Sequence, residues 1–343
     1  MNDALQRRIY RAAGTPYEVG YSLGRQVGPR LAHIIDRYLA EGPGLHGGYD
    51  EVRLREGALP WLEHLPRRYR KEIEGLAAGS GVSLQRLAEW CYVEECGGGC
   101  SAFLFRRGEH VWVGRNNDLW APDLWNSAAI KEVTGRLPTL TFGMAGEPFT
   151  GTGVNGARLW LHYNYLPAYD GPNDPAALPP FVLLVDMLET CRTLAEVEAR
   201  LERTQRTGAM LLFAVEGARD AGALFECTCT AHARLDLTGR WLAGTNHYLT
   251  PLGPAGDDGD SRARYARLTE RLGMLGEIVE TPRDFISILA DPRVEGRGET
   301  RGTVYANVAC PATGEQWTTL GGYPAASAGH WQRLNWPPHS EKE

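Results

Sequence analysis

From Pro16 to about residue 95, apolar side chains recur every three or four positions, through Val19, Leu23, Val27, Leu31 and the pair Ile34-Ile35. That spacing builds one apolar helix face, and a proline at the start suits a helix's first turn. Further helices are predicted over Trp61 to Ala78, and from Ser83, an N-cap residue, to Glu94. After Cys100 the period shortens to two. Runs at 101–105, 111–115, 138–143, 149–153 and 158–163, separated by glycine turns, predict strands. Leu178 to Arg203 reads as helix again, with Thr193 as a cap, and strands come next at 209–216, 222–228 and 240–244. Helices at about 261–275 and 282–290 lead to strands at 303–309 and 315–320. Runs of strands alternating with pairs of helices predict a layered α+β fold rather than a doubly wound parallel sheet. Two loops stand out, the proline-rich 166–180 and the glycine- and aspartate-rich 250–260; at that length either could rim a pocket.

Composition narrows the function classes. At 343 residues the chain can bury a large core, and 43% apolar with 23% charged residues is ordinary for a globular protein. A net charge of −6 argues against nucleic acid as a partner, since phosphate binding needs a basic field. Lysine occurs only at Lys71, Lys131 and Lys342, which leaves Schiff-base and P-loop chemistry poorly supplied. The polar stretch Met1 to Arg11 and the lack of a long apolar span predict no membrane partner and a cytoplasmic location.

Seven cysteines do not read as a disulfide framework in a long chain without a secretion signal. Cys91, Cys191 and Cys310 lie in apolar surroundings and read as small core residues. Cys96, Cys100, Cys227, Cys229 and His232 could be taken for a zinc site, but neither cysteine spacing is the usual C-x₂-C knuckle. Gly151-Thr152-Gly153-Val154-Asn155-Gly156 matches G-x-G-x-x-G literally. The next residues, Ala157 to His162, read as a strand rather than a helix, so a dinucleotide site is rejected and a hairpin turn predicted.

Gly97-Gly98-Gly99-Cys100-Ser101 is the segment with chemistry in it. The glycines permit the distorted backbone that peptide self-cleavage requires, and Cys100 stands where helical composition gives way to strands. Gly114-Arg115-Asn116-Asn117-Asp118 places an arginine and a carboxylate 15 and 18 residues further on, at the return of a hairpin. If the chain is cut before Cys100, its thiol and a new α-amine belong to one residue and can serve as nucleophile and base. Read one at a time, a cysteine is more often a buried inert thiol, an arginine a surface residue and an aspartate a turn residue.

Other segments fall into a known order. Gly14-Thr15-Pro16-Tyr17-Glu18-Val19-Gly20-Tyr21 with Gly24, the stretch Trp61 to Ala78, Gly99-Cys100-Ser101, and Gly114 to Asp118 come first. After them stand Gly153-Val154-Asn155-Gly156 with Tyr163-Asn164-Tyr165, Thr245-Asn246-His247-Tyr248, and Arg264-Tyr265-Ala266-Arg267. Together they resemble the cysteine N-terminal-nucleophile (Ntn) hydrolases, in the branch of isopenicillin N acyltransferase (acyl-CoA:6-aminopenicillanic acid acyltransferase, peptidase C45). Ser101 departs from that family's threonine while keeping a hydroxyl, and the arginine at 115 matches the related bile-salt hydrolases and penicillin V acylases.

The resemblance implies a four-layer αββα core with two stacked antiparallel sheets. Residues 1–99 become a helical pro-segment, retained as a small chain after self-cleavage, and residues 100–343 the catalytic portion, the two forming one compact unit. It implies cleavage between Gly99 and Cys100, then attack by Cys100 on a small N-acyl amide through an acyl-cysteine, released to water or to an amine, with no metal or organic cofactor. Arg115 then stabilises the thiolate or positions substrate, Asp118 orients the α-amine, and Asn246 with a donor near Asn164 receives the oxyanion. Arg264 supplies a further arginine, with Arg262 its rival. Trp120, Trp125, Phe149, Tyr163, Tyr165 and Tyr169 could line an acyl pocket or simply be core and loop residues. Two rival readings are an unprocessed, silent relative that binds acylated ligands, and a zinc-stabilised binding protein.

Overall fold

The computed structural model describes residues 8–46, 51–93, 99–254 and 259–336. Cys96, Gly97, Gly98, Lys342 and the middle of the 250–260 loop lie outside the described residues.

The chain opens with a strand, β1 (Ile9–Gly14), followed by the helices α1 (Pro16–Val27), α2 (Arg30–His46), α3 (Glu51–His64), α4 (Arg67–Ser80) and α5 (Leu84–Tyr92). The start of α1 explains the Thr15-Pro16-x-Glu18 sequence. Thr15 caps the helix by accepting from the Glu18 N–H, and Glu18 reaches back to the Thr15 N–H at 2.8 Å. Gly20 and Gly24 of α1 face Gly75 and Gly79 of α4 across a contact with no room for side chains. A Cβ on Gly75 would collide with the Tyr17 carbonyl, and one on Gly20 with that of Glu72. These glycines let the backbones of α1 and α4 touch.

Next come the strands β2 (Gly99–Arg107), β3 (His110–Trp120), β4 (Ser127–Val133), β5 (Thr139–Gly143), β6 (Thr152–Asn155) and β7 (Leu159–Leu166). The helix predicted over 178–203 is broken in two, α6 (Pro180–Thr190) and α7 (Leu194–Arg203), with Thr193 capping the second through Glu196 N. Strands β8 (Ala209–Glu216), β9 (Ala221–Cys227), β10 (His232–Asp236) and β11 (Trp241–Gly244) come after them. The chain continues through α8 (Gly259–Gly273), α9 (Arg283–Leu289), β12 (Arg301–Cys310), β13 (Glu315–Thr319), α10 (Ala325–Ala328) and β14 (Trp331–Asn335).

Among the described residues the strands form an eight-stranded sheet, β1-β4-β5-β6-β7-β8-β9-β10, and a six-stranded sheet, β11-β2-β3-β12-β13-β14. All pairs are antiparallel except β1 with β4. Helices α6 and α7 pack on the first sheet, and α8, α9 and α10 on the second. The sheets face each other: Leu104 and Val111 of one meet Gly222 of the other, and Gly244 meets Leu211, Phe213 and Leu224. The architecture is therefore α+β, four-layered αββα, as expected. One difference concerns the first segment, which is not wholly helical. Its β1 extends the eight-stranded sheet, and Tyr10, Val19 and Leu23 share one hydrophobic core with Leu104, Val154 and Phe213.

Strand alternation decides what lies where. On the second sheet Phe103, Phe105 and Trp112 pack with Leu268, Leu272 and Phe285 beneath the helices, whereas Ala102, Leu104, Val111 and Val113 point between the sheets. Gly99 and Asp118 share the helix-side face, while Cys100, Asn117 and Arg115 share the inter-sheet face.

Candidate active site

Cys100 is the second residue of β2 and is 4% exposed. The β2–β3 hairpin pairs Gly99 with Asp118, Cys100 with Asn117 and Ala102 with Arg115. A spacing of 15 and 18 residues therefore returns Arg115 and Asp118 to Cys100, on opposite faces of the sheet. Different elements hold different atoms of the cysteine.

Its backbone nitrogen donates to Asn246 Oδ1 at 2.7 Å. Its carbonyl oxygen accepts from Arg264 Nη1 at 2.7 Å. Its Sγ lies 3.6 Å from Asn117 Oδ1 and 3.9 Å from Arg115 Nη2.

Asn246 sits in the turn after β11. Its backbone N–H donates to Ser261 Oγ at 2.8 Å, an oxygen also 2.8 Å from Thr245 Oγ1 and from His247 Nδ1. Ser261, in the first turn of α8, thus gathers the whole Thr245-Asn246-His247 segment. Asn246 Oδ1 accepts from both Cys100 N and Arg264 Nη2, the latter at 2.9 Å, and Nδ2 donates to the Tyr165 carbonyl at 2.9 Å. Two donors on one side fix which end of the amide faces the cysteine. Arg264 also bonds Ser101 Oγ at 3.1 Å and pairs with Asp260 at 2.9 Å, while Arg262 is exposed. Of the two rival arginines, Arg264 is the one beside Cys100. Asn164 Nδ2 donates to the carbonyls of Gly244 and Thr245, at 3.2 and 3.0 Å, which ties β7 to the turn carrying Asn246.

Asp118 is buried, and a Cβ on Gly99 would stand only 3.3 Å from its Oδ2. Glycine at 99 leaves that approach open. Burial pushes the carboxyl up to about 6; Arg264, the Thr303 hydroxyl and Arg301 pull it back, and Asp260 adds a small push. Thr303 Oγ1 donates to Asp118 Oδ1 at 2.6 Å. A bulge between Thr303 and Tyr305, opposite Asp118 and Asn117, turns these two residues to opposite faces. Tyr305 reaches the inter-sheet side, where its hydroxyl meets Thr152 Oγ1 at 2.8 Å. Arg115 is 1% exposed and bonds Thr152 Oγ1, the carbonyls of Gly151 and Tyr163, and Asn117 Oδ1, the last at 2.5 Å. Beside it His162 is held well below its usual range by burial and by Arg115; its Nδ1 accepts from Trp160 Nε1 at 2.8 Å.

A cleft of about 940 Å³ opens on the Gly99 side, lined by Gly99, Asp118, Tyr165, Asn246, Arg264 and Arg301 among others. Of the six aromatics singled out in sequence, Tyr165 lines this cleft. Trp120 and Trp125 are core residues, Phe149 packs on Tyr69 and Phe181, and Tyr169 is exposed beside Tyr248. Sequence reading missed Asn117, Thr303, Tyr305 and Ser261. Only Asn117 stood inside a quoted motif; Ser261 opens the helix expected over 261–275 without having been given a role, and a bulge with no sequence signature carries Thr303 and Tyr305.

The Gly151–Gly156 run leads through β6 into β7, a hairpin turn. Cys227 and Cys229 are buried, and among the described residues no group of three or more His, Cys, Asp or Glu is arranged to hold a metal ion. Among those residues no helix is long and apolar enough to cross a membrane.

No family model matches the chain. Among solved structures it is similar to a mutant of the conjugated bile acid hydrolase of Clostridium perfringens (12% identity, 69% of this chain and 97% of that one, TM-score 0.46). It is also similar to the Caenorhabditis elegans ortholog of N-acylethanolamine-hydrolyzing acid amidase (16%, 69% and 100%, 0.48). A third is the penicillin V acylase of Agrobacterium tumefaciens (12%, 69% and 86%, 0.49).

Proposed function

We propose that this chain is a self-processing cysteine amidohydrolase or acyltransferase of the Ntn type, acting on a small N-acyl amide through an acyl-Cys100 intermediate. One observation carries the reading. The nitrogen, carbonyl and sulfur of a single cysteine each meet a different polar group, at the point where a large cleft reaches the preceding glycine.

In maturation Cys100 Sγ attacks the Gly99 carbonyl carbon. The S–C bond forms, the C–N bond to Cys100 breaks, and the nitrogen leaves as an amine after taking a proton. Water then opens the Gly99 thioester, leaving residues 1–99 as a small chain and 100–343 as the catalytic chain. The new α-amine, ordinarily titrating near 7.7–8, keeps Asn246 Oδ1 as its acceptor, with Asp118 beside the neighbouring Gly99, and is held where it can take the thiol proton. A carboxyl near 6 is ionised at neutral pH and can accept a hydrogen bond from that amine. Arg115 offers positive charge to the thiolate. Arg264 fixes the Cys100 carbonyl and, with Asn246, the strand start. Asn246 keeps a second amide hydrogen beside the one on the Tyr165 carbonyl, whereas Asn164 reaches a tetrahedral oxyanion only by giving up a backbone carbonyl it now holds. The leaving amine emerges on the Asp118 side and departs through the cleft, and the acyl-cysteine is resolved by water or by a second amine.

The test is an intact-mass spectrum of purified wild type beside Cys100→Ala and Cys96→Ala. The expected result is two fragments, ending at Gly99 and starting at Cys100, in wild type and Cys96→Ala, and one uncut mass in Cys100→Ala. A single uncut chain in all three samples refutes self-processing and turns the reading toward a silent relative that binds acylated ligands.

A further inference from the structure

An oxyanion formed at Cys100 needs an N–H donor that is not already engaged. Of the two asparagines expected to serve, Asn164 spends both amide hydrogens on the carbonyls of Gly244 and Thr245, and Asn246 spends one of its two on that of Tyr165. Asn117 differs. It is the direct cross-strand partner of Cys100, on the same face, and 2% exposed. Its Oδ1 takes the Arg115 Nη2 donor at 2.5 Å and faces Cys100 Sγ at 3.6 Å. Arginine has no acceptor, so the atom facing it must be the oxygen. The NH₂ end of Asn117 therefore points elsewhere, and it makes no hydrogen bond among the described residues.

The distances suit a donor. The two ends of a carboxamide lie about 2.3 Å apart, which puts Asn117 Nδ2 no more than about 6 Å from Sγ. An oxyanion on a carbon bonded to that sulfur lies about 3 Å from it, and its donor about 3 Å further on. We propose that Asn117 is a catalytic residue whose Nδ2 donates to the oxygen of the carbonyl that Cys100 Sγ attacks. The proposal rests on the reading of Cys100 as nucleophile. As the S–C bond forms, the carbonyl π pair moves onto oxygen, where Nδ2–H meets it. On collapse the C=O bond reforms and the leaving group departs with the pair of the broken bond. The same carboxamide serves two ends of the step, its oxygen fixing Arg115 and its nitrogen meeting the oxyanion.

Two reagents separate this role from simple support of the thiol. Acylation of Cys100 by p-nitrophenyl acetate passes through a tetrahedral oxyanion, whereas alkylation by iodoacetamide needs the thiolate and forms none. Both are monitored on the purified protein, at the Cys100 peptide by mass. In Asn117→Ala the ratio of acylation to alkylation rate should fall by roughly 10²–10³. Asn117→Asp, which keeps the acceptor for Arg115 and removes the donor, should show the same fall, and it covers the case in which the alanine variant does not fold. A ratio within threefold of wild type in a folded variant overturns the proposal while leaving Cys100 as nucleophile. If wild-type Cys100 takes neither reagent, or Cys100→Ala releases p-nitrophenol as fast as wild type, the nucleophile reading itself fails, and this one with it.

Discussion

Asp118 should cost the fold stability in return for its position, and removing its charge should show this directly. The carboxyl is buried and lifted from an ordinary 3.8 to about 6. The folded chain therefore holds its proton to higher pH than the unfolded chain does. Below about pH 4 both states are protonated and the group costs nothing. Stability falls as pH rises from about 4 to 6, by up to about 1.4 kcal/mol per pH unit, and above 6 the full penalty of about 3 kcal/mol stands. That figure is an upper value, since water in the adjoining cleft screens the carboxylate. In the variant Asp118→Asn the carboxamide oxygen can still accept the Thr303 hydroxyl, and the side chain carries no charge to desolvate. The comparison belongs in a Cys100→Ala background, so that the proposed self-cleavage cannot enter. Urea unfolding of Cys100→Ala with and without Asp118→Asn, from pH 3.5 to 8, should give equal stabilities at the acid end. The asparagine form should be more stable by up to about 3 kcal/mol at pH 7.5. A difference that stays flat with pH, or an asparagine form less stable at pH 7.5, refutes the reasoning.

Two further outcomes test how the first segment is held. Glu72 of α4 and Lys131 of β4 form a buried pair at 2.9 Å, so Glu72→Gln should cost about 3–5 kcal/mol in urea unfolding, and Lys131→Met with Glu72→Leu much less; a single-variant loss below about 1 kcal/mol would remove the pair's role. Gly75→Leu should force α1 and α4 apart at Tyr17 and lower stability by about 1–3 kcal/mol, read as a fall in Tm, whereas Gly171→Ala, with open space around it, should leave Tm unchanged.

The site was legible in sequence wherever one local element carries it. A hairpin between two strands has a fixed register, so Cys100, Arg115 and Asp118 could be placed together from spacing alone. The choice between Arg262 and Arg264 was also legible in principle. Arg264 lies on the helical stripe of Ser261, Leu268 and Leu272, which is the buried face of α8, and Arg262 does not. Other features depend on contacts between distant segments and leave no periodic trace. Strand β1 is six residues long and stands at a sheet edge against β4, a strand whose Lys131 and Glu132 interrupt the apolar pattern. Strand β10 alternates only partly buried with exposed residues, and so reads as loop. Thr303 reaches Asp118 because of a bulge, and nothing in its neighbours announces one.

The division of the site between two faces of one sheet has a chemical consequence. Cys100, Arg115 and Asn117 lie between the sheets, where little water enters and a charge interaction is strong. Asp118, Arg264 and the cleft lie on the other face, open to solvent at Gly99. The Cys100 nitrogen sits in the strand itself and is the atom both faces share. In the proposed mechanism, a proton taken from the sulfur on the dry side is passed, at that nitrogen, to a leaving amine on the wet side without crossing the sheet. Such a relay requires the nitrogen to be an amine. In the structure it is an amide that donates to Asn246 but cannot accept, so under the proposed reading the relay waits until the bond to Gly99 is cut.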